Sequence, residues 1–438
     1  MTTTEDRRVE APATLTERQP RTLGLLDQLG LWANLGISLL IPVTATFLVV
    51  PGQSFLATTV AIVAGTVVGC TLLGLVARAG AETGAPTMVL LRGLLGRRGS
   101  YAPTALNLLQ CVGWATYEIW IISFAAHAVY DGIPRWAYVL AAGGVATAMA
   151  LRPLGSVRLL KRIAVVAVVA SSAYFLIETA RRPLGDLAAG SWTGFWTSTD
   201  LVIALPVSWI PLVADYSRFS RSGRAAAIGT GVGYALSSAA FFLLGVLALR
   251  AYGTGAGNDV VTALLAVPAG AVALVILASA EVDEAFANIY STATSAQNVV
   301  PRADRRLLAL AVGGVATVLA LAVDGGAYEP FLFLIGAVFV PLAATLVVDF
   351  ALSGGRYDTS AEAPARWPML VPWVAGFVAY QLTAPTLIAG WPAWEAFWRD
   401  GQDLLGISPT NGFSASLVAL AVAGLLTVAV RGRRSVRS

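Results

Sequence analysis

The chain has 438 residues, of which 57% are hydrophobic and only 12% charged, with a mean hydropathy of +0.72. Soluble domains carry about 25% charged residues, so this composition excludes a soluble enzyme, a nucleic-acid-binding domain and a disordered chain. The net charge of +4 comes almost wholly from arginine, Lys161 being the one lysine, and topology explains it better than a nucleic-acid partner does.

A membrane span takes roughly 20 apolar residues. The apolar runs here are continuous and rich in Ala, Leu and Val, unlike the ~10-residue alternating segments of a β-barrel. They predict an all-α integral membrane protein with 12 transmembrane helices. Residues 1–22 are polar and Arg-bearing, without the apolar core of a signal peptide, and read as a disordered cytoplasmic tail. The spans follow at 28–50, 55–79, 103–129, 135–151, 157–178, 196–215, 224–250, 268–298, 305–323, 329–352, 368–389 and 413–430.

With the N-terminus in the cytoplasm, 24 of the 29 basic residues fall on the cytoplasmic side, leaving Arg135, Arg181, Arg182, Arg250 and Arg399 outside. This positive-inside bias predicts a multi-pass plasma-membrane protein, embedded in the lipid bilayer with both termini cytoplasmic. Trp136, Tyr138, Trp192, Trp196, Trp391, Trp394 and Trp398 lie near span ends and read as an aromatic belt. Residues 390–412 read as a polar external loop with a surface helix. Cys70 and Cys111 sit in apolar runs and His127 is the one histidine, so neither a disulfide framework nor a His-rich metal site is indicated.

Three features break the rules of a lipid-facing helix. First, span 1 reads Gly36-Ile37-Ser38-Leu39-Leu40-Ile41-Pro42 and span 6 reads Leu205-Pro206-Val207-Ser208-Trp209-Ile210-Pro211. Proline removes a backbone donor, and a break at membrane depth is tolerated where it lines a cavity or packs against protein. Interruptions at matching positions of two five-span halves point to a transporter binding site.

Second, span 8 begins blandly and then carries Glu281, Asp283, Glu284, Asn288, Ser291, Thr292 and Ser295. At the helical period all but Asp283 share one face. A carboxylate at mid-membrane costs about 2.5–3.5 kcal/mol on insertion scales, so the three acids must face a cavity, carry protons or pair with cations. Third, Glu118 lies mid-span 3, one turn after Trp114. A flat indole and a carboxylate on one stripe suit a planar, hydrogen-bonding ligand, the ring stacking and the carboxylate reading N–H groups.

Several short motifs occur in order. They are Leu29-Gly30-Leu31-Trp32 with Gly36-Ile37-Ser38, then Thr83-Gly84-Ala85-Pro86 with Arg92-Gly93, then Gly113-Trp114. Trp209 with Asp215-Tyr216-Ser217-Arg218-Phe219 follows, and last Pro341 with Asp349-Phe350 and Arg356-Tyr357. From about residue 25 to 358 the chain resembles the nucleobase:cation symporter-1 family, which includes cytosine permeases, hydantoin and allantoin transporters and hydroxymethylpyrimidine permeases.

The resemblance implies a leucine-transporter-type 5+5 inverted repeat. Residues 23–182 would form the first repeat, 190–352 the second, and 353–438 two accessory spans and a cytoplasmic C-terminal tail. It also implies a substrate site in which Trp114 stacks on the ring and Glu118 stands at the polar position one turn later. Ser208 or Trp209, or the backbone at Leu205-Pro206, would come from span 6, and Asn288 from span 8. A Na⁺ site of the family kind would use the carbonyls of Gly36, Leu39 and Ala280 and two adjacent hydroxyl residues. Those two positions are Asp283 and Glu284 here in the register anchored on Tyr290 and Asn298, while an ungapped count puts Ser279 and Ala280 there.

The expected function is secondary active import of a nucleobase or related planar nitrogen heterocycle, such as cytosine, a purine or hydroxymethylpyrimidine, with H⁺ or Na⁺ as the coupling cation. Glu281, Asp283 and Glu284 would carry the cation, with no cofactor and no catalytic residue. The alternatives are a transporter of amino acids or other small solutes on the same fold, and a membrane-embedded hydrolase using Glu281 and Asp283. A single His and two buried Cys serve the hydrolase poorly as metal ligands or nucleophile.

Overall fold

A computed structural model describes residues 20–49, 52–183, 186–187, 189–252, 260–407 and 412–435, with the backbone alone over 153–166 and 433–435. The expected disordered tail thus falls almost wholly outside the described residues. The first span is split into α1 (Leu25–Leu35) and α2 (Leu40–Leu48), bent by 60°. Pro42 sits in the first turn of α2, where its missing N–H breaks no helical bond.

The continuous helices α3 (Phe55–Thr83), α5 (Tyr101–Val129), α6 (Arg135–Leu151) and α7 (Pro153–Ala180) stand near spans 2 to 5. Between α3 and α5 the chain forms an element absent from the sequence reading, α4 (Thr87–Gly99). Its low hydropathy hid it, yet it is buried nearly throughout. Gly96 kinks it at φ 76°, and any side chain there would strike the Pro364 carbonyl.

Span 6 is interrupted once, between α8 (Phe195–Ser208) and α9 (Ile210–Ser217). The joining residue Trp209 keeps right-handed helical angles, and the break shows in hydrogen bonds tightened to three residues, Trp209 N–H to Pro206 O at 3.3 Å and Leu212 N–H to Trp209 O at 3.1 Å. Proline supplies the cause: Pro206 and Pro211 offer no donors. So span 1 bends sharply and span 6 does not.

Next come α10 (Gly223–Tyr252), a short α11 (Val260–Leu265), and α12 (Gly270–Ala280) with α13 (Val282–Ala296), parted at Glu281. The remainder is α14 (Arg305–Ala322), α15 (Tyr328–Leu352), α16 (Leu370–Thr383), α17 (Pro392–Leu405) and α18 (Ala415–Ser435). α17 lies within the segment read as a surface helix.

By length and composition, seven helical segments among the described residues can cross a membrane, or eight with the bent first span. α6, α16 and the α12–α13 pieces are shorter than about 20 residues. α3 packs along α10 and α8, α1 along α10, and α5 against α13.

Two buried aspartates fasten α18 at its ends. Asp200 of α8 accepts from the main-chain N–H groups of Ala415 (2.9 Å) and Ser416 (3.0 Å) and from the Ser414 hydroxyl. It thereby caps the α18 N-terminus from another helix. At the far end Arg431 pairs with Asp349 of α15 at 2.9 Å.

Candidate functional site

The bend of span 1 leaves main-chain groups unpaired at the α2 N-terminus. Glu281, at the break of span 8, answers them: the Leu39 N–H donates to one of its oxygens and the Ser38 hydroxyl to the other, both at 2.7 Å. Glu281 is fully buried. The carboxyls of Glu281, Glu284 and Glu118 come together with oxygens within 4.8 Å of one another. Apart from these carboxyls, neither Glu118 oxygen meets a hydrogen-bond donor among the described residues. A group of three such carboxyls cannot all be ionised without a compensating cation or proton.

The sequence reading separated Glu118, as the reader of substrate, from the acids of span 8. The fold puts Glu118 in one group with two of them. Asp283 stands apart, as its off-stripe position predicted, and accepts from the Asn34 amide of α1 at 3.0 Å. Gly36 packs so closely on α10 that a Cβ would strike Ser237.

The Leu39 carbonyl accepts from Val43 N–H at 3.2 Å, so it belongs to the α2 ladder. Glu284 N–H bonds to Glu281 O at 3.1 Å, a three-residue bond that passes over the Ala280 carbonyl. Ser279 is exposed and its hydroxyl bonds its own helix at Val275 O. The fold therefore faces Glu284, not Ser279, toward span 1.

Beside the carboxyls lies a narrow cavity of about 10 Å³, closed down to roughly the room of one water, lined by Ser38, Trp114, Glu118, Ser208, Trp209, Glu284 and Asn288 among others. The two indoles are held differently. Trp209 sits edge-on to Trp32 (5.7 Å between centroids), and its N–H donates to the Tyr234 hydroxyl at 3.1 Å. Trp114 is held edge-on by Phe331 (5.4 Å) and Tyr328 (6.0 Å), and its buried N–H has no partner among the described residues. Gly113 makes room for Phe331: a Cβ there would lie 2.8 Å from that ring.

The Ser208 hydroxyl donates to Leu205 O (2.6 Å), while its carbonyl accepts from the Gln110 amide (2.9 Å). Asn288 donates to Glu284 O at 3.2 Å. Trp32 stood in a quoted motif but was given no role, and Tyr234, Tyr328 and Phe331 were missed by the sequence reading. These three lie in apolar surroundings without a motif of their own, and only Gly113 hinted that an aromatic ring packs beside Trp114.

The polar stripe of span 8 continues from the cavity along α5 as a seam. Asn107 donates to Ser295 Oγ at 2.8 Å, and Asn298 donates to Thr104 and Ser100 hydroxyls at 2.9 and 3.0 Å. A buried seam of paired polar groups fixes the register of α13 on α5.

Residues 14–366 match a protein family described as permeases for cytosine and purines, uracil, thiamine and allantoin. The chain belongs to this family. Cytosine permeases of Escherichia coli O157:H7 and of strain K12 are each 24% identical over 303 residues, spanning 68% of this chain and 70% of theirs.

The structure resembles that of Mhp1, a nucleobase-cation-symport-1 family transporter in a closed conformation with bromovinylhydantoin bound. The TM-score is 0.73 at 18% identity, over 97% of this chain and 95% of that one. A Na⁺-coupled sialic acid symporter in a substrate-bound outward-open state gives 0.57 at 13% identity, over 96% of this chain and 92% of that one.

The fold is thus of the leucine-transporter type. The permease has no part in catalysis, which removes the hydrolase reading of Glu281 and Asp283. The cavity of this permease is lined in part from the interrupted stretches of spans 1 and 6, at Ser38 and at Ser208 and Trp209.

Proposed function

We propose that this permease imports a planar nitrogen heterocycle across the plasma membrane together with a cation, through twelve spans with both termini cytoplasmic. Trp114 and Trp209 offer aromatic faces for the ring, and Ser208 and Asn288 offer polar atoms at its edge. The observation that carries the reading is Glu118: a fully buried carboxyl on an indole-lined cavity whose oxygens, apart from the neighbouring carboxyls, meet no hydrogen-bond partner among the described residues. Leaving such a group unpaired is costly, so the site is complete when a ligand brings donors to it. A ring edge with an amino group beside a ring N–H, as guanine presents, gives a carboxylate two parallel donors.

The coupling cation is H⁺ in this reading. Glu281 is already met by two donors, Ser38 and Leu39, and serves as the anchor. Glu118 and Glu284 hold one proton between them, which relieves the repulsion of close carboxylates. Asp283, tied to Asn34, links the same helix to span 1. The carbonyls of Gly36, Leu39 and Ala280 remain the groups that would serve if Na⁺ were the cation.

Cation, ring and the breaks of spans 1 and 8 meet in one place, so binding of both solutes biases the same hinge between inward and outward states. Uptake of radiolabelled cytosine into proteoliposomes, with uracil, purines, hydantoins and leucine as competitors, tests the substrate class. Competition by leucine and none by any heterocycle contradicts it.

A further inference from the structure

A second polar pocket lies at the opposite end of α15 from η-type turn Gly325–Ala327, away from the cavity described above. It is open, holds about 500 Å³, and is lined by Arg92, Arg356, Arg366 and Arg431, with Asp358 as its lining carboxyl. Asp349 lies buried beside them. It takes two charge-assisted bonds from Arg366 at 2.9 Å each, one ion pair from Arg431, and a hydrogen bond from the Tyr357 hydroxyl at 2.7 Å. One carboxylate therefore serves two guanidiniums.

Arg92 is buried and its hydrogen bonds among the described residues go to neutral oxygens, those of Asn298 at 2.7 and 3.0 Å and Thr359 O at 3.5 Å. The exposed Arg356 guanidinium meets no acceptor among the described residues. Asp358 is turned to its own loop, where it accepts from Ser360 N–H at 2.9 Å. Positive charge is left over, and it converges on the pocket.

The surroundings say what kind of anion fits. Leu352 lines the pocket and is 52% exposed, and Val428, one turn before Arg431 on α18, is 50% exposed. Exposed apolar side chains thus stand at the pocket and one helical turn from Arg431. That pairing suits a phosphate group with acyl chains below it. We infer that this pocket binds a phosphate group, that of an anionic phospholipid headgroup, with Arg356 as the free ligand and Arg431 and Arg92 beside it. Bound there, the lipid joins the ends of α15 and α18 to α4 and to the loop that carries Arg366.

The test compares thermal unfolding and lipid retention of the full chain in nanodiscs of phosphatidylglycerol against phosphatidylcholine, for the parent, Arg356→Gln and Arg356→Lys. A third arm adds inorganic phosphate to lipid-depleted protein in detergent. Arg356 is exposed and has no partner among the described residues, so its replacement leaves folding intact.

Phosphatidylglycerol should raise the melting temperature over phosphatidylcholine. Arg356→Gln should weaken its retention about fivefold, as loss of one arginine near a phosphate does, and Arg356→Lys should largely restore it. Stabilisation by inorganic phosphate that depends on Arg356, with no difference between the lipids, supports the phosphate site and assigns it to a soluble ligand. Equal behaviour of both lipids with no effect of phosphate, or retention untouched by Arg356→Gln, overturns the inference.

Discussion

The main-chain N–H of Leu39 donates to Glu281 at 2.7 Å, joining the bend of span 1 to the break of span 8 across 242 residues of sequence. The Ser38 hydroxyl holds the other oxygen. Removing the carboxyl leaves a buried N–H and a hydroxyl unanswered, at a cost of about 1–3 kcal/mol. Glu281→Leu should therefore lower the melting temperature clearly. Glu281→Gln keeps an oxygen for Leu39 and should unfold near the parent while transporting slowly. A Leu variant as stable as the parent contradicts the clasp.

Trp114 is fixed by Phe331 and Tyr328 so that its remaining surface lines the cavity. Trp114→Ala should weaken substrate binding by about 0.5–1.5 kcal/mol beyond the lost apolar area, while the protein still inserts and folds. Binding to the purified variant, measured by scintillation proximity, checks this. An unchanged affinity removes Trp114 from the site.

Glu118→Gln replaces a group that accepts twice with one that accepts and donates. Selectivity should move from donor-rich ring edges toward those offering an acceptor beside a donor, with expression preserved. Identical competition profiles across cytosine, uracil and hydantoin would remove Glu118 from ligand reading.

Asp349 holds Arg366 and Arg431 together. Asp349→Asn leaves the two guanidiniums facing each other without their carboxylate, and breaking a buried pair typically costs about 3–5 kcal/mol. Chemical denaturation should show a loss of that order, partly recovered by adding Arg431→Gln, which removes one of the opposed charges. No recovery in the double variant argues against coupling between them.

The sequence carried the outline of the fold wherever apolar runs were long, and the interrupted spans wherever proline marked them. It also carried the polar stripe of span 8: periodicity put Glu284 and Ser295 on one face and Asp283 off it, and the fold turns those residues to α5 and to Asn34 respectively. Two things were hidden. α4 has no apolar period to announce it, since its burial comes from contacts with Tyr357 and the 361–366 loop that are distant in sequence. The grouping of Glu118 with Glu281 and Glu284 depends on how α5 packs on α13, and no single segment states that.

The central claim is that the Glu118–Glu281–Glu284 group couples uptake to a proton. The most direct measurement is proton entry into proteoliposomes, read by a trapped pH-sensitive dye when substrate is added outside in the complete absence of Na⁺. The account predicts that substrate acidifies the lumen, that an imposed inward proton gradient drives accumulation, and that Glu284→Gln binds substrate but abolishes both. Strict dependence of uptake on Na⁺ at constant pH, with no proton entry, would contradict it.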